Sequence, residues 1–456
     1  MQKGIKSLVC LLIFHLSSGV ASLNISSKNE IVGEKPTLTS AIEDKITNLD
    51  LFGIHFTDVN NNNNSGNYYG DKDIRNLPIN PAYPFKKLFK PATLLKQPVS
   101  EYFDSEGDQF GELTLDSTPT VQWLYTDKKG KEVVFVPGEN DTFCSLAAAG
   151  KYTAPYKYRI TSKLKLTSKY GIPRSNSYPN ETVTQIPEKT YTILNDSGIC
   201  WARPASLKPD QASKDAKKHE WDSKKGFLVQ SSSSSSLNFP QTAFYGAKFD
   251  LLLASNGLVH NYDWRIAKGS QLVTFELTND VVTINFNTST AKNDLEVWKL
   301  VTANDQGYEV IIEGTHKTSG NKIYYPFRIK KWFTGWSEKY SQVADAKVID
   351  TACAAKGKNQ YKITALEDLV GNAAVIKGKN DSVFYRKIGA LVSEWGLVSQ
   401  ELYPNSWAPA GKAGPNTTRR LWLTYDGDYC DLHLYDAAFH CKNEKQNKNG
   451  VCVSYK

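Results

Sequence analysis

The sequence predicts a mainly β chain that ends in an α+β domain: two β-rich, sandwich-like domains followed by a mixed C-terminal module. Three observations carry this. Short runs rich in β-branched and aromatic residues recur between Asn, Asp and Gly turns from Val121 to Ile329. After residue 334 helix-like and strand-like patterns alternate. The C-terminal segment also holds Cys353, Cys430, Cys441 and Cys452, placed so that an outer pair can close most of it and an inner pair can staple a short loop inside. In the chain-entropy model the outer crosslink would contribute about 4–5 kcal/mol and the inner one about 3.

At 456 residues the chain has room for about three ordinary domains. It is 40% hydrophobic and 12% aromatic, so sizeable cores can form. Lys+Arg number 55 against 47 Asp+Glu, a net charge of +8. The lysines are scattered (Lys86-Lys87, Lys128-Lys129, Lys217-Lys218, Lys330-Lys331) and read as solvated surface. Nucleic-acid binding needs a concentrated basic face, and the sequence has none.

Residues 1–22 read as a signal peptide. Lys3 and Lys6 precede a short apolar run, Leu8 to Leu16, and Gly19-Val20-Ala21 offers small residues for cleavage. The run is too short to span a bilayer, and bulky Val9 makes Cys10 a poor lipidation site. Removal of Cys10 leaves six of the seven cysteines, an even number suited to an oxidising compartment. Cys144 and Cys200 form the natural third pair by locality, although six cysteines allow fifteen connectivities. No other apolar run approaches membrane length, so the mature chain is expected to be soluble.

Residues 23–90 read as a polar linker or N-terminal segment, with the run Asn60 to Asn64 and one short amphipathic helix over Ala41 to Phe52. Residues 91–213 read as a β-rich domain stapled by Cys144 and Cys200. Val121 to Tyr125 and Glu132 to Val136 flank the turn Asp127-Lys128-Lys129-Gly130 as a hairpin, and Ile160 to Leu166 alternates as one half-buried strand. Residues 214–333 read as a β-sandwich of the adhesion type. Ser231 to Ser236 is expected to be a flexible surface loop. Leu272–Leu277, Val281–Phe286, Tyr308–Ile312 and Lys322–Ile329 are expected strands. In residues 334–456, Ile363 to Leu369 is helix-like; Ser382–Leu391, Arg420–Thr424, Cys430–Leu434 and Val451–Ser454 are strand-like.

Several segments carry a family resemblance. Cys353 opens the last module before a helical stretch; Glu394-Trp395-Gly396, Tyr403-Pro404, Ser406-Trp407 and Leu421-Trp422-Leu423-Thr424 follow; Val451-Cys452-Val453-Ser454 closes it. This module resembles the C-type-lectin-like domain at the tip of the invasin and intimin adhesins of enteric Gram-negative bacteria. Upstream, Phe143-Cys144, Tyr170-Gly171-Ile172-Pro173, Tyr178-Pro179 and Cys200-Trp201-Ala202-Arg203-Pro204 are similar to the companion region of that group. So are Trp221 to Phe227 and Asn238-Phe239-Pro240. The resemblance implies pairing of Cys353 with Cys452 and of Cys430 with Cys441. It also implies a secreted or cell-surface adhesin exported through the periplasm, which recognises a host or bacterial surface protein and contributes to virulence. The sequence shows no outer-membrane barrel and no array of immunoglobulin-like repeats. Family members of this shape are secreted exoproteins, some exported through an intimin-like barrel partner.

Protein recognition would use aromatic and arginine anchors rimmed by polar groups. Trp407, Arg419, Arg420, Asp426 and Asp428 are the candidate receptor-binding residues, with Tyr425 and Tyr429 beside them. Asp426-Gly427-Asp428 could offer a carboxylate to a metal-bearing receptor, and Asp-Gly is equally a favoured hairpin turn. Trp395 and Trp422 read as core. Calcium-dependent sugar binding is one alternative, and a virulence-modulating exoprotein that is exported by and docks on an intimin-like outer-membrane barrel is the other. A hard cation needs six to eight oxygen ligands, whereas Gly414-Pro415-Asn416 lacks the first carboxylate and Trp422-Leu423-Thr424 lacks an Asn-Asp pair. Cys430, His433, His440 and Cys441 have zinc-like spacing, but in an exported chain the two cysteines read as a disulfide. None of His55, His219, His260, His316, His433 or His440 sits in a hydrolase elbow, a zinc-protease motif or a phosphate loop. The expectation is a non-enzymatic protein without cofactor or resident metal.

Overall fold

The computed structural model describes residues 32–39, 50–96, 99–210, 220–254, 258–278, 280–339, 341–357, 360–371, 385–410, 419–434, 438–441 and 446–456. The expected signal peptide, most of the expected helix over Ala41 to Phe52, and Gly414-Pro415-Asn416 lie outside these residues. The chain is mainly β, with its longer helices near the C-terminal end.

The first unit is a sandwich. One sheet runs Glu188–Leu194, Tyr156–Thr161, Thr120–Thr126, Glu132–Phe135. The other runs Gly66–Tyr68, Ile54–Phe56, Phe89–Pro91. Their facing rings meet: Phe89 lies 5.8 Å from Trp123 and 6.2 Å from Tyr158. Residues 50–91 are therefore folded into this core, which corrects the expectation of a linker. The reason is local. Leu51, Phe52, Ile54 and Phe56 are buried, while the Asn run is gathered around one carboxylate. Asp58 accepts from the backbone N–H of Asn60 and Asn61 and from Asn64 Nδ2.

Ile160 to Leu166 is two strands, Tyr156–Thr161 and Leu164–Ser168. The chain turns at buried Ser162, whose Oγ donates to Ser117 O, and Leu164–Ser168 joins a separate sheet with Phe110–Leu115 and Ser175–Tyr178. Ile160, Leu164 and Leu166 all stay buried, so the two-residue period runs through the bend and hides it.

The second unit packs the sheet Trp221–Asp222, Gly226–Leu228, Ile199–Pro204, Lys248–Leu253, Val281–Asn285, Thr274–Thr278 against Tyr262–Lys268, Tyr308–His316, Lys322–Ile329. Phe249 sits 5.6 Å from Phe327 across the interface. Ile199–Pro204, expected in the first domain, lies inside this second sheet. The Cys144–Cys200 disulfide thus ties helix Phe143–Ala149 of the first unit to the second. The serine run is also packed. Ser231, Ser232 and Ser235 are buried, Asn238 Oδ1 accepts from Gln230 N and Ser231 N, and Arg328 Nε donates to Ser235 Oγ. These partners replace the solvent that a surface loop would need.

The third unit is built on the sheet Thr242–Phe244, Lys331–Gly335, Asn449–Ser454, Arg420–Tyr425, Asp428–His433, Phe439–His440. Helix Ala346–Ala355 packs Ile349 and Cys353 inward. Both expected crosslinks are formed: Cys353–Cys452 joins this helix to Asn449–Ser454, and Cys430–Cys441 staples the hairpin region. Two elements differ from expectation. Ile363 ends the strand Tyr361–Ile363, and only Leu366–Leu369 is helical. In Ser382–Leu391 the described part, from Tyr385, forms no strand; it turns at Gly389 (φ 114°) into helix Leu391–Trp395.

Candidate recognition surface

Arg420–Tyr425 and Asp428–His433 pair antiparallel, with Tyr425 opposite Asp428. Only Asp426 and Gly427 lie between them, at φ 50° and 84°. Such a two-residue turn matches the twist of the strands. Aspartate tolerates the left-handed conformation and glycine adopts it freely. The Asp-Gly pair is thus a hairpin turn, and the same turn leaves Asp426 and Asp428 exposed. The turn and the displayed carboxylates are one feature.

Tyr429 links this tip to the neighbouring helix. Its ring is partly exposed and its Oη donates to Asp350 Oδ2 at 2.6 Å. That bond, together with partial burial and the charges of Asp350 and Asp345, pushes the phenol up to about 12. The hairpin and helix Ala346–Ala355 therefore meet at Tyr429 and Asp350, with Asp426 and Asp428 exposed at the turn beside a phenol that stays protonated. Such a turn can pair with a cationic side chain or donate a carboxylate to a divalent ion held by a partner.

The other candidate anchors fall elsewhere. Trp407 is 8% exposed, with its ring 5.8 Å from Phe244, so it is a core side chain rather than a surface anchor. Arg420 Nη1 donates to Asp431, which also holds Lys448, and Lys448 Nζ lies 4.4 Å from the Trp422 ring centroid. Arg420 is thereby turned toward a buried carboxylate. Arg419 is half-buried at the base of the hairpin, where its carbonyl accepts from Leu434 N. Trp395 and Trp422 are core, as expected. Cys430 and Cys441 are bonded to each other, which leaves no thiolates for zinc. Among the described residues no group of three or more His, Cys, Asp or Glu is placed to hold a metal.

A buried cluster that the sequence did not reveal joins the third unit to the second. Glu394 and Arg386 have no measurable exposure. Glu394 Oε1 accepts from Gln241 N (2.7 Å) and Gly389 N (2.9 Å), and Oε2 from Thr242 N (2.8 Å) and Thr242 Oγ1 (2.5 Å). Trp395 Nε1 donates to Thr242 O. Burial nevertheless raises the Glu394 carboxyl to about 7 against the four donors. Arg386 stacks 4.2 Å from the Trp221 ring centroid and donates to Ser206 O and Glu394 O. Burial lowers its guanidinium to about 9. Gly396, at φ 70°, makes the approach possible: a Cβ there would sit 2.1 Å from Arg386 Nη1 and 2.4 Å from Lys208 O. Glycine in Glu394-Trp395-Gly396 was the one visible signal. The second and third units are thus joined by shared strands and by this cluster.

No protein-family model and no curated protein matches the sequence. Among solved structures, the crystal structure of invasin, a bacterial integrin-binding protein, is similar over 79% of this chain and 54% of that one, at 13% identity and a TM-score of 0.36. A protocadherin gammaB7 EC3-6 cis-dimer structure is similar over 55% and 46%, at 12% identity and a TM-score of 0.15. This chain thus spans about half the length of each. Both superpositions are loose, and the functional reading rests on the chain's own residues. Three disulfides fit an oxidising compartment. No described helix is long and apolar enough to cross a membrane.

Proposed function

We propose that this chain is a secreted or surface-displayed adhesin of a Gram-negative bacterium whose C-terminal, C-type-lectin-like tip recognises a host or bacterial surface protein non-covalently. The observation that carries the reading is the Asp426-Gly427-Asp428 hairpin tip, which is exposed and built on a module stapled twice by disulfides. Its binding chemistry is carboxylate-led, with Asp426 and Asp428 as contacts, Arg419 at the base, and Tyr429 holding the adjacent helix in place. The protein acts by contact and catalyses no reaction. An intimin-like outer-membrane barrel is its proposed secretion partner.

The competing reading is a calcium-dependent lectin. The buried Trp422 and the absence of an Asn-Asp pair after it weigh against that reading. The test is binding of the purified full chain to cultured epithelial cells, with protease-treated cells, free sugars and a chelator as separate arms. The full chain is needed because strands Thr242–Phe244 and Lys331–Gly335 complete the tip's sheet. Loss of binding on protease treatment, with resistance to free sugars, supports protein recognition. Binding that survives protease and is lost to chelator and sugars supports the lectin.

A further inference from the structure

The first sandwich is open along one side. Its four-stranded sheet ends on Glu132–Phe135 and its three-stranded sheet on Phe89–Pro91, and among the described residues each edge strand is paired on one side only. Between them lies a groove of about 550 Å³ with an aromatic floor of Phe89, Trp123, Phe135 and Tyr158. Its lip carries Val121, Val134 and Val136, which are 37%, 48% and 86% exposed. Proteins usually blunt such an edge with charge, proline or a bulge, because its free N–H and C=O groups template another strand. Here Pro91 and Pro137 stand at the ends of the two edges, and the exposed lip is valine. The hairpin closes with Asp127 N donating to Lys131 O. Antiparallel pairs alternate from that point, so the Val134 N–H points away from its own sheet.

The charge of the groove is one-sided. Lys86 and Lys90 line it and no carboxylate does. Lys86 is engaged by Glu139 at 2.5 Å. Lys90 is exposed, and no ion pair to it occurs among the described residues.

We propose that this groove binds an extended segment of another protein, added as a strand to the Glu132–Phe135 edge. Alternate apolar side chains of the segment rest on the aromatic floor, and an acidic side chain meets Lys90. Strand addition of this kind draws affinity from main-chain hydrogen bonds and specificity from alternate side-chain sites. A second copy of this chain is the poorer occupant. Paired about a twofold axis, it would bring the same lysine-lined groove to itself, and the carboxylates at that edge are already engaged, Glu132 by Lys157 and Arg159 and Glu139 by Lys86.

The test is selection of a random peptide display library on the full chain, beside Val134→Pro and Lys90→Glu. Proline is tolerated at an edge position whose N–H faces outward, and an unchanged urea unfolding midpoint shows that the variants are folded. The wild type should enrich peptides that alternate apolar residues and carry Asp or Glu. V134P should lower that enrichment by about tenfold or more, and K90E should switch the charged residue to Lys or Arg. Equal enrichment on wild type and V134P, or an unchanged charge preference on K90E, would overturn the proposal. A dimer in sedimentation that V134P abolishes would overturn it in favour of self-association.

Discussion

Gly396→Ala and Gly427→Ala make a matched pair that tests whether the buried cluster holds the tip to the second unit. Both glycines have positive φ, 70° and 84°, so each alanine incurs backbone strain of about 1–3 kcal/mol. Their surroundings differ. Nothing lies within 4 Å of a Cβ at Gly427, and strain is the whole cost there. At Gly396 the Cβ would fall 2.1 Å from Arg386 Nη1 and 2.4 Å from Lys208 O. The guanidinium must move, which breaks its bonds to Ser206 O and Glu394 O. Hydrogen bonds to a charged group contribute about 1.5–3 kcal/mol each, so G396A should cost about 4–9 kcal/mol and G427A about 1–3. Urea unfolding followed by tryptophan fluorescence reads the difference, since Trp221 and Trp395 both sit at the cluster. Equal losses in the two variants would refute the close-approach argument.

Three further outcomes follow from the same geometry. Replacing Cys353 and Cys452 by serine opens a loop with a sequence separation of 99 and should destabilise the tip by about 4–5 kcal/mol; an unchanged melting temperature would contradict the role given to this bridge. Because burial raises Glu394 from 4.5 to about 7, its contribution is fully present below pH 4.5 and is lost as pH rises through about 7. The stability of wild type relative to Glu394→Gln should therefore be greater at pH 5 than at pH 8, by up to about 3 kcal/mol, and a flat difference in urea midpoints would show that the four donors cancel the burial. Trp407→Ala should act as a core truncation costing about 3–5 kcal/mol; a variant of native stability that fails only in cell binding would return Trp407 to the contact surface.

The elements legible in the sequence were those with local signals. Alternation and turn residues located Thr120–Thr126, Tyr308–His316 and Arg420–Tyr425, and Asp-Gly located the hairpin that displays Asp426 and Asp428. The seams between units were not legible, because they depend on pairing across long separations. Phe244 lies opposite Phe333 in a parallel pair, and Thr334 lies opposite Cys452; no local pattern marks either partner. Composition misled where polar residues satisfy one another. The Asn run folds onto Asp58 and the serine run onto Asn238 and Arg328, yet both have the composition of solvated loops. Arg386 gave no signal, since a lone arginine in a sequence is usually solvated.

The central claim is that the carboxylates of the hairpin turn make the contact. Its most direct test is the dissociation constant of the full chain for epithelial cells, compared with that of Asp426→Asn/Asp428→Asn, a change that keeps the size and turn preference of both residues. The account predicts unchanged unfolding and binding weakened by about tenfold to a hundredfold, the range for loss of charged contacts worth about 1.4–2.8 kcal/mol. Wild-type affinity in the double variant would contradict it.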